Sequence, residues 1–514
     1  MFSVAVLSSQ AWFGSLLPAA YAYQILPNQL PLYTELYRSA VSSGDPAGHP
    51  NSRTRFEVTA NATDLFCGKP GDKVSSGYAH FTNNVGEEDK HMFWWLYQAR
   101  HDPQNAPIVL TFGGGPGGSG QLFPFNGAGP CKIEVDDDNG DVKTTPSPYS
   151  WTEHVNLLSI DHPVGVGFSY GNNASFRNSS ERAAWDVDDF LQAFWREHPD
   201  LLNNQFAISS GSYGGVYIPN VVDVIHRRDE AASKGKNSTN TRILKAPSAV
   251  MITNGCSDYQ TNCRWLAESN CNPDDNTFFN ETVCSQIVRG NPSCLDAIQL
   301  AYEQPSVANR YAALKSCSAL SPWEHALREP YDVRKKCPKE KCQIVDLEYL
   351  NTFMNSKQIK KATGVPESVR FSALEIDKIT IPFILNGDII QPAYRLLAPA
   401  IESGLRVLTY TGLADGACPW RPTLAWMKLL KTKYQDEFRG ASEVVYPGVG
   451  SVRQVGPGAG NYTFVKIEDA GHMVILSKPA LQYQIMKRWL DNEPLMEAAG
   501  ATSMSGWDVQ YAFN

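Results

Sequence analysis

The most regular feature of this sequence is a series of short apolar runs separated by longer amphipathic segments. Six runs of four to six residues occupy positions 108–112, 155–160, 206–209, 249–253, 405–410 and 463–467. A short, continuous apolar run is typical of a strand that is buried on both faces of a parallel sheet. We therefore predict a strand at each of these positions.

Helical periodicity fills several of the intervening segments. In residues 183–198 apolar side chains recur every three or four positions, and the pattern stops before Pro199. The predicted apolar face consists of Val187, Phe190, Leu191 and Phe194. Strands that alternate with such helices predict an α/β fold, with a mostly parallel sheet covered by helices on both faces.

A cysteine-rich block at about residues 256–375 interrupts this alternation. Most of the 11 cysteines lie between Cys256 and Cys342. Parallel α/β sheets bind ligands at the carboxyl ends of their strands, so we predict that this block is a cap inserted over that edge. The cysteines predict up to five disulfides. A bound metal is the alternative, but the chain lacks a Cys-x-x-Cys motif.

The N-terminus and the glycosylation motifs both favour the secretory pathway. Residues 1–22 are apolar, lack acidic side chains and end in Ala-Tyr-Ala, so we predict a signal peptide before a single domain at 23–514. A buried N-terminal helix is the alternative. Sequons begin at Asn61, Asn173, Asn178, Asn237, Asn280 and Asn461. We predict a secreted or vacuolar glycoprotein with disulfides.

Length and charge exclude some classes of partner. The 514 residues suit one large domain with insertions, and the net charge of -8 comes without a long basic run. Nucleic acid is therefore not an expected partner. No later stretch is apolar over 18 residues, so we predict no membrane span. We also predict no metal and no cofactor, and the sequence leaves the oligomeric state open.

The segment FAISSGSYGG, at residues 206–215, places Ser212 between a predicted strand and a predicted helix. In a nucleophile elbow the serine sits on a sharp turn, and the residues two before and two after it must be small. Here these residues are Ser210 and Gly214. Serine replaces the usual glycine at the first position but keeps the small volume. Ser212 is therefore the candidate nucleophile.

A serine nucleophile needs a base, and the base needs an orienting acid. In folds with this elbow the chain order is serine, acid, histidine. Asp415 follows the predicted strand at 405–410, and His472 follows the predicted strand at 463–467. Because both strands belong to one parallel sheet, we expect the two side chains to meet Ser212 at one edge.

A glycine-rich segment, FGGGPGGSG at residues 112–120, follows the first predicted strand. Glycines let backbone amides approach a substrate closely, as an oxyanion hole requires. The other predicted donor is the amide of Tyr213, directly after the nucleophile. The same segment also fits the dinucleotide pattern Gly-x-Gly-x-x-Gly, but Pro116 stands where the helix would begin.

With these motifs in order, the chain resembles the serine carboxypeptidases, a family with the α/β-hydrolase fold. The similarity covers HMFWWLYQARHDPQNAPIVLTFGGGPGG, PYSWTEHVNLLSIDHPVGVGFSYG, the elbow, TGLADGACPW and AGHMV. The resemblance implies a triad of Ser212, Asp415 and His472, and oxyanion donors at the amides of Gly115 and Tyr213. It also implies that Cys418 is an unpaired cysteine near the active site.

Three positions depart from the family pattern. In the serine carboxypeptidases, one Asn and two Glu residues bind the terminal carboxylate of the substrate, and the resemblance implies which positions of this chain correspond to them. Here the corresponding positions are all glycine: Gly113, Gly211 and Gly127. Asn126 and Gln121, in the same loop, are candidate replacement donors. Beyond His472, the family's Pro and Asp are Ile475 and Ser477.

We therefore hold three hypotheses about function. The first is a serine carboxypeptidase that releases C-terminal residues from peptides and has altered recognition of the terminal carboxylate. The second is an acyltransferase, esterase or amidase that acts on a small non-peptide acyl substrate, which the three glycines favour. The third is an inactive binding protein on the same scaffold, which the complete set of triad residues disfavours.

Overall fold

The computed structural model describes residues 53–62, 68–82, 87–135, 142–234, 242–271, 278–318, 320, 326–337, 347–496 and 502–504. The predicted signal peptide and the sequon at Asn237 lie outside these ranges. The other sequon asparagines are exposed at Asn61, Asn173 and Asn280 and partly buried at Asn178 and Asn461. No helix in the described ranges is both long and apolar enough to cross a bilayer.

The strands are β1 (Arg53–Ala62), β2 (Val74–Thr82), β3 (Asp89–Tyr97), β4 (Ile108–Thr111), β5 (Cys131–Val135), β6 (Val142–Pro146), β7 (Asn156–Ile160), β8 (Tyr170–Gly171), β9 (Phe206–Ser212), β10 (Ala249–Gly255), β11 (Arg328–Glu329), β12 (Asp332–Lys336), β13 (Arg406–Gly412), β14 (Glu443–Tyr446), β15 (Gly450–Val455), β16 (Tyr462–Ile467) and β17 (Thr502–Met504). In the described chain they form one 13-stranded sheet and two hairpins, β5–β6 and β11–β12. The order in the large sheet is β1-β2-β3-β7-β4-β9-β10-β13-β16-β15-β14-β17, and β8 pairs with β3.

The helices are α1 (Ser180–Glu197), α2 (Gly214–Ser233), α3 (Tyr259–Arg264), α4 (Leu266–Asn270), α5 (Glu281–Glu303), α6 (Val307–Ser318), α7 (Glu348–Met354), α8 (Lys357–Thr363), α9 (Ile381–Leu385), α10 (Ala398–Glu402), α11 (Trp420–Leu429), α12 (Gln435–Gly440), α13 (Val474–Ser477) and α14 (Pro479–Asp491). The predicted helix at 183–198 is confirmed as α1. All four residues of its predicted apolar face are buried. Ser179 caps its N-terminus by accepting the amide N–H of Arg182 at 3.4 Å.

All six predicted strands are confirmed, and they are the parallel centre of the sheet: β7, β4, β9, β10, β13 and β16. The side chains of successive residues in each strand lie on opposite faces of the sheet. Leu110 and Ile208 join the apolar cluster that contains much of α1 and α2, whereas Val109 and Ala207 join the cluster on the other face. The sheet is therefore buried on both sides, as an α/β-hydrolase fold requires.

Two local disulfides of the cysteine-rich segment lie wholly within the described residues, Cys271–Cys284 and Cys294–Cys317. Within it, Phe278, Phe279 and Val283 form a small apolar cluster with Val333 of β12 and Ala414, which precedes Asp415. The segment therefore packs against the loop that carries the candidate acid.

The prediction that Cys418 is unpaired is wrong. Cys418 forms a disulfide with Cys256, which lies 162 positions earlier in the chain. Cys256 follows β10 and Cys418 follows β13, and because these strands are parallel neighbours their carboxyl ends meet. The free cysteine of the described chain is Cys263, which is buried.

Candidate active site

Ser212 lies at the turn between β9 and α2 with a φ of 58°, a left-handed value that is rare for serine. The small neighbours of the predicted elbow are necessary. A methyl group on Gly214 would overlap Ser210 Oγ, and that hydroxyl donates to the carbonyl of Phe112 at 2.7 Å. The turn thus holds Ser212 in a strained, partly buried position at the carboxyl edge of the sheet.

Asp415 and His472 meet as the sequence predicted. His472 Nδ1 lies 2.8 Å from Asp415 Oδ2, and both side chains are buried. Asp415 Oδ1 accepts the amide N–H groups of Ala417 at 2.8 Å and Cys418 at 3.2 Å. The carboxylate is therefore fixed by its own turn while its other oxygen orients the imidazole.

Asn254, at the end of β10, is a site residue that sequence reasoning missed. Its Nδ2 donates to Asp415 Oδ2 at 2.7 Å, and its φ is 45°. The next residues also contact the nucleophile, because the amide of Cys256 donates to the carbonyl of Ser212 at 3.1 Å. Asparagine tolerates a left-handed backbone, but a single asparagine near the end of a strand is only a weak signal in sequence.

The described residues contain no hydrogen bond between Ser212 Oγ and His472. In hydrolases without substrate this contact is often long and closes in the Michaelis complex. The structure nevertheless connects Ser212 to the Asp415–His472 pair through a short series of contacts, from the Ser212 carbonyl through Cys256 and Cys418 to Asp415.

The glycine-rich loop lies directly against the nucleophile. A methyl group on Gly114 would come within 2.9 Å of Ser212 Cβ and 3.1 Å of the Tyr213 amide nitrogen. Gly115 follows with a φ of 114°. The predicted oxyanion donors, the amides of Gly115 and Tyr213, thus belong to segments that touch each other.

A buried carboxyl group anchors the far end of this loop. Asp161 Oδ1 accepts the Ser119 hydroxyl at 2.5 Å and the Gly120 amide at 3.1 Å, and Oδ2 accepts the Phe168 amide at 2.8 Å. Burial raises the pKa of Asp161 to about 7 even though these hydrogen bonds act in the opposite direction. The loop conformation therefore depends on this side chain.

Tyr331, at the tip of the β11–β12 hairpin, also contacts the base and was missed. Its ring stacks on the His472 imidazole with centroids 4.5 Å apart, and its carbonyl accepts the His472 amide at 2.8 Å. The carbonyl of Pro330 accepts the amide of Gly416 at 3.0 Å, beside Asp415. Burial raises the pKa of the Tyr331 hydroxyl, which therefore stays protonated.

Two of the three glycine positions, Gly113 and Gly211, leave no room for a side chain. A methyl group on Gly211 would lie 2.6 Å from Thr253 Cγ2, and one on Gly113 would lie 2.6 Å from the carbonyl oxygen of Ser119. Gly127 has a φ of 120°, which is unfavourable for glutamate. Contacts at Gly113 and Gly211 and backbone conformation at Gly127 therefore favour glycine.

A strained serine on a strand–helix turn and an Asp–His pair on later strands of the same parallel sheet define an α/β-hydrolase. The profile of the family described as serine carboxypeptidase matches residues 67–492. The chain therefore belongs to the serine carboxypeptidase family, and it is a serine-type carboxypeptidase-like hydrolase.

Individual relatives agree with this assignment. Carboxypeptidase Y homolog A of Phaeosphaeria nodorum is 30% identical over 427 residues, which are 82% of this chain and 74% of the relative. Carboxypeptidase Y of Komagataella phaffii is 30% identical over 430 residues, 82% of this chain and 76% of the relative. In fold, the chain is similar to Kex1(Δ)p, a prohormone-processing carboxypeptidase from Saccharomyces cerevisiae, whose structure superposes with a TM-score of 0.69 at 18% identity, over 85% of this chain and 95% of that one.

Proposed function

We propose that this protein is a serine carboxypeptidase-like hydrolase of the secretory pathway that cleaves peptides through an acyl-enzyme on Ser212. We further propose that it recognises the substrate's terminal carboxylate differently from its family. The observation that carries the proposal is the 2.8 Å contact between His472 Nδ1 and Asp415 Oδ2, at the sheet edge where Ser212 lies.

In this mechanism Ser212 Oγ attacks the scissile carbonyl carbon while His472 Nε2 accepts the hydroxyl proton. Asp415 holds the imidazole in the required tautomer and stabilises its protonated form. The amides of Gly115 and Tyr213 donate to the oxyanion. His472 then protonates the leaving amine. A water molecule attacks the acyl-enzyme by the reverse sequence and restores Ser212.

The three glycines support altered recognition. Each hydrogen bond to a charged group contributes roughly 1.5–3 kcal/mol, so the loss of three weakens carboxylate binding by several kcal/mol without strict additivity. Because Gly113 and Gly211 have no space for a side chain, the change is built into the backbone. Catalysis at the carbonyl does not use these positions.

Asn126 offers a neutral donor in place of the missing acids. Tyr349 donates its hydroxyl to Asn126 Oδ1 at 3.0 Å, so the amide group Nδ2 remains for a substrate. The turn at Pro124–Ala128 packs against α13, which begins just after His472. An amide donor binds a neutral carbonyl as well as a carboxylate. Peptide amides and esters therefore become acceptable substrates.

The same glycines favour a second function, acyl transfer or hydrolysis on a small non-peptide ester or amide. A comparison of three substrates separates the two functions: a blocked dipeptide with a free C-terminus, its C-terminal amide, and an unrelated ester. We expect comparable kcat/KM for the acid and the amide. A strong preference for the free acid would overturn altered recognition, and turnover of the ester alone would favour the second function.

The hypothesis of an inactive binding protein is tested separately with a fluorophosphonate, which labels activated serines. We expect a covalent adduct on Ser212 of the native protein, identified by peptide mass, and no adduct in the Ser212→Ala variant. An unlabelled native protein would mean that the triad is not functional and that the chain acts as a binding protein.

A further inference from the structure

A disulfide crosses the centre of the candidate site. Cys256 lies just after β10, and Cys418 lies three residues beyond Asp415, with their Cα atoms 5.3 Å apart. Cys418 is buried, and Cys256 is partly buried. The two cysteines thus join the strand end beside the nucleophile to the turn that carries the acid.

The Cys256 end of the disulfide is fixed to the nucleophile strand. The Cys256 amide donates to the Ser212 carbonyl at 3.1 Å, and Gly255 is the register partner of Ser212 in the sheet. One residue earlier, Asn254 Nδ2 donates to Asp415 Oδ2 at 2.7 Å. A movement of Cys256 would therefore disturb the positions of both Ser212 and Asp415.

The Cys418 end is fixed to the acid. Its amide donates to Asp415 Oδ1 at 3.2 Å, and Cys256 Sγ contacts the carbonyl of Ala417 at 3.8 Å. The turn at residues 415–418 thus supplies the hydrogen bonds that fix one carboxylate oxygen, while the other oxygen holds His472. The disulfide is the covalent link between this turn and the serine strand.

We propose that the Cys256–Cys418 disulfide is a positioning element for the reaction, which holds the Asp415–His472 pair at the distance and orientation from Ser212 that the reaction requires. This inference rests on the proposed triad. A shift of about 1 Å in a catalytic group can cost on the order of a hundredfold in rate, so the link affects turnover more than substrate binding. The protein thus uses a disulfide where the family resemblance implied a free thiol.

The test is the double variant Cys256→Ala/Cys418→Ala, which leaves no unpaired partner. The matched control is Cys271→Ala/Cys284→Ala, which removes a disulfide local to the cysteine-rich segment. We expect kcat on a peptide substrate to fall roughly tenfold or more in the first variant, with little change in KM, and the rate of fluorophosphonate labelling of Ser212 to fall in parallel. The control variant should keep the wild-type kcat.

The outcomes are distinct. An unlabelled wild-type protein would defeat the proposed function, and this inference with it. A labelled wild type with unchanged kcat in the first variant, or an equal loss in the control, would overturn the inference alone. If the alanine variant does not fold, Cys256→Ser/Cys418→Ser replaces it. Alkylation of Cys418 in denatured, unreduced wild type would also overturn the inference, because a disulfide protects it.

Discussion

Thr253 fills the space that a side chain at Gly211 would need. A β-carbon there would lie 2.6 Å from Thr253 Cγ2 and 2.8 Å from the Thr253 carbonyl oxygen. Since Gly211 directly precedes Ser212, any displacement that relieves this overlap also moves the nucleophile. The proposed change in recognition at this position therefore involves two residues, and the introduction of a glutamate there requires more than one substitution.

We predict that Gly211→Ala lowers both stability and activity. Overpacking of a tightly packed site costs about 1–3 kcal/mol, and we expect a lower kcat because Ser212 shifts with its neighbour. The second substitution Thr253→Ser removes Cγ2 but keeps the hydroxyl that donates to Asn254 Oδ1 at 3.2 Å, so it should restore part of both losses. Denaturant unfolding and steady-state kinetics on the two variants measure this coupling.

The control for this pair is Gly440→Ala, where an added methyl group would have no neighbour within 4 Å. This variant should keep wild-type stability and kcat. If Gly211→Ala behaves like Gly440→Ala, the site tolerates a side chain, and Thr253 does not exclude a glutamate from this position.

At the scale of elements, the β11–β12 hairpin carries Tyr331 onto the base. We predict that Tyr331→Ala lowers kcat roughly tenfold, because a stacked aromatic pair contributes about 0.5–1.5 kcal/mol and here fixes the His472 ring. Tyr331→Phe should keep wild-type kcat, since the ring is retained. Steady-state kinetics on a peptide substrate check both results.

Tyr149→Ala, on an exposed tyrosine, is the control for loss of an aromatic ring. It should leave kcat unchanged. A wild-type kcat in Tyr331→Ala would show that the hairpin does not position His472, and an equal loss in Tyr331→Phe would mean that the hydroxyl, not the ring, is needed.

The sequence predicted the six central strands because they are buried on both faces, which requires a continuous apolar run. The antiparallel flanks were harder. Strand β2, for example, reads VSSGYAHFT, where small and polar residues interrupt the apolar ones. Such a strand is recognised only when its partners, β1 and β3, are known.

Some residues of the candidate site were likewise predictable from the sequence, and others were not. Asp415 and His472 follow predicted strands, so order and context were enough to bring them together. Tyr331 reaches His472 from a hairpin that is distant in sequence and has no strong local pattern. The pairing of Cys256 with Cys418 across 162 residues depends on which strands are neighbours, and the number of cysteines cannot supply that information.

At the scale of the whole molecule, two adjacent buried groups influence how stability depends on pH. Burial lowers the pKa of His162 to about 3, since its ring packs against Phe112 and Tyr217, and neither ring nitrogen has a hydrogen-bond partner in the described chain. Burial raises the pKa of Asp161 to about 7. Both groups are thus neutral in the folded protein under mildly acidic conditions.

These two pKa shifts have opposite effects on the way the free energy of unfolding depends on pH. Between the unfolded pKa of Asp161, 3.8, and that of His162, 6.5, the unfolded chain binds a proton at His162 and releases one at Asp161. The His162 shift therefore makes the free energy of unfolding rise with pH, and the Asp161 shift makes it fall. Their contributions cancel over this range, so the pair leaves little net pH dependence in the wild-type protein.

We predict that His162→Phe exposes the contribution of Asp161. Phenylalanine keeps a ring against Phe112 and Tyr217 and removes two unsatisfied nitrogens, so the fold should be retained at neutral pH. Relative to wild type, the free energy of unfolding should then fall by about 1.4 kcal/mol for each unit of rising pH between roughly pH 4 and 6.5. Denaturant unfolding at several pH values measures the difference.

The complementary variant Asp161→Asn makes this prediction specific. The two substitutions must change the slope of the free energy of unfolding against pH with opposite signs. In Asp161→Asn the contribution of His162 remains, and the difference from wild type should rise with pH over the same range, fading above about pH 7 where wild-type Asp161 is ionised in both states. Parallel pH profiles for wild type and both variants would mean that neither group is held neutral by burial. A slope of the same sign in both variants would mean that another group dominates.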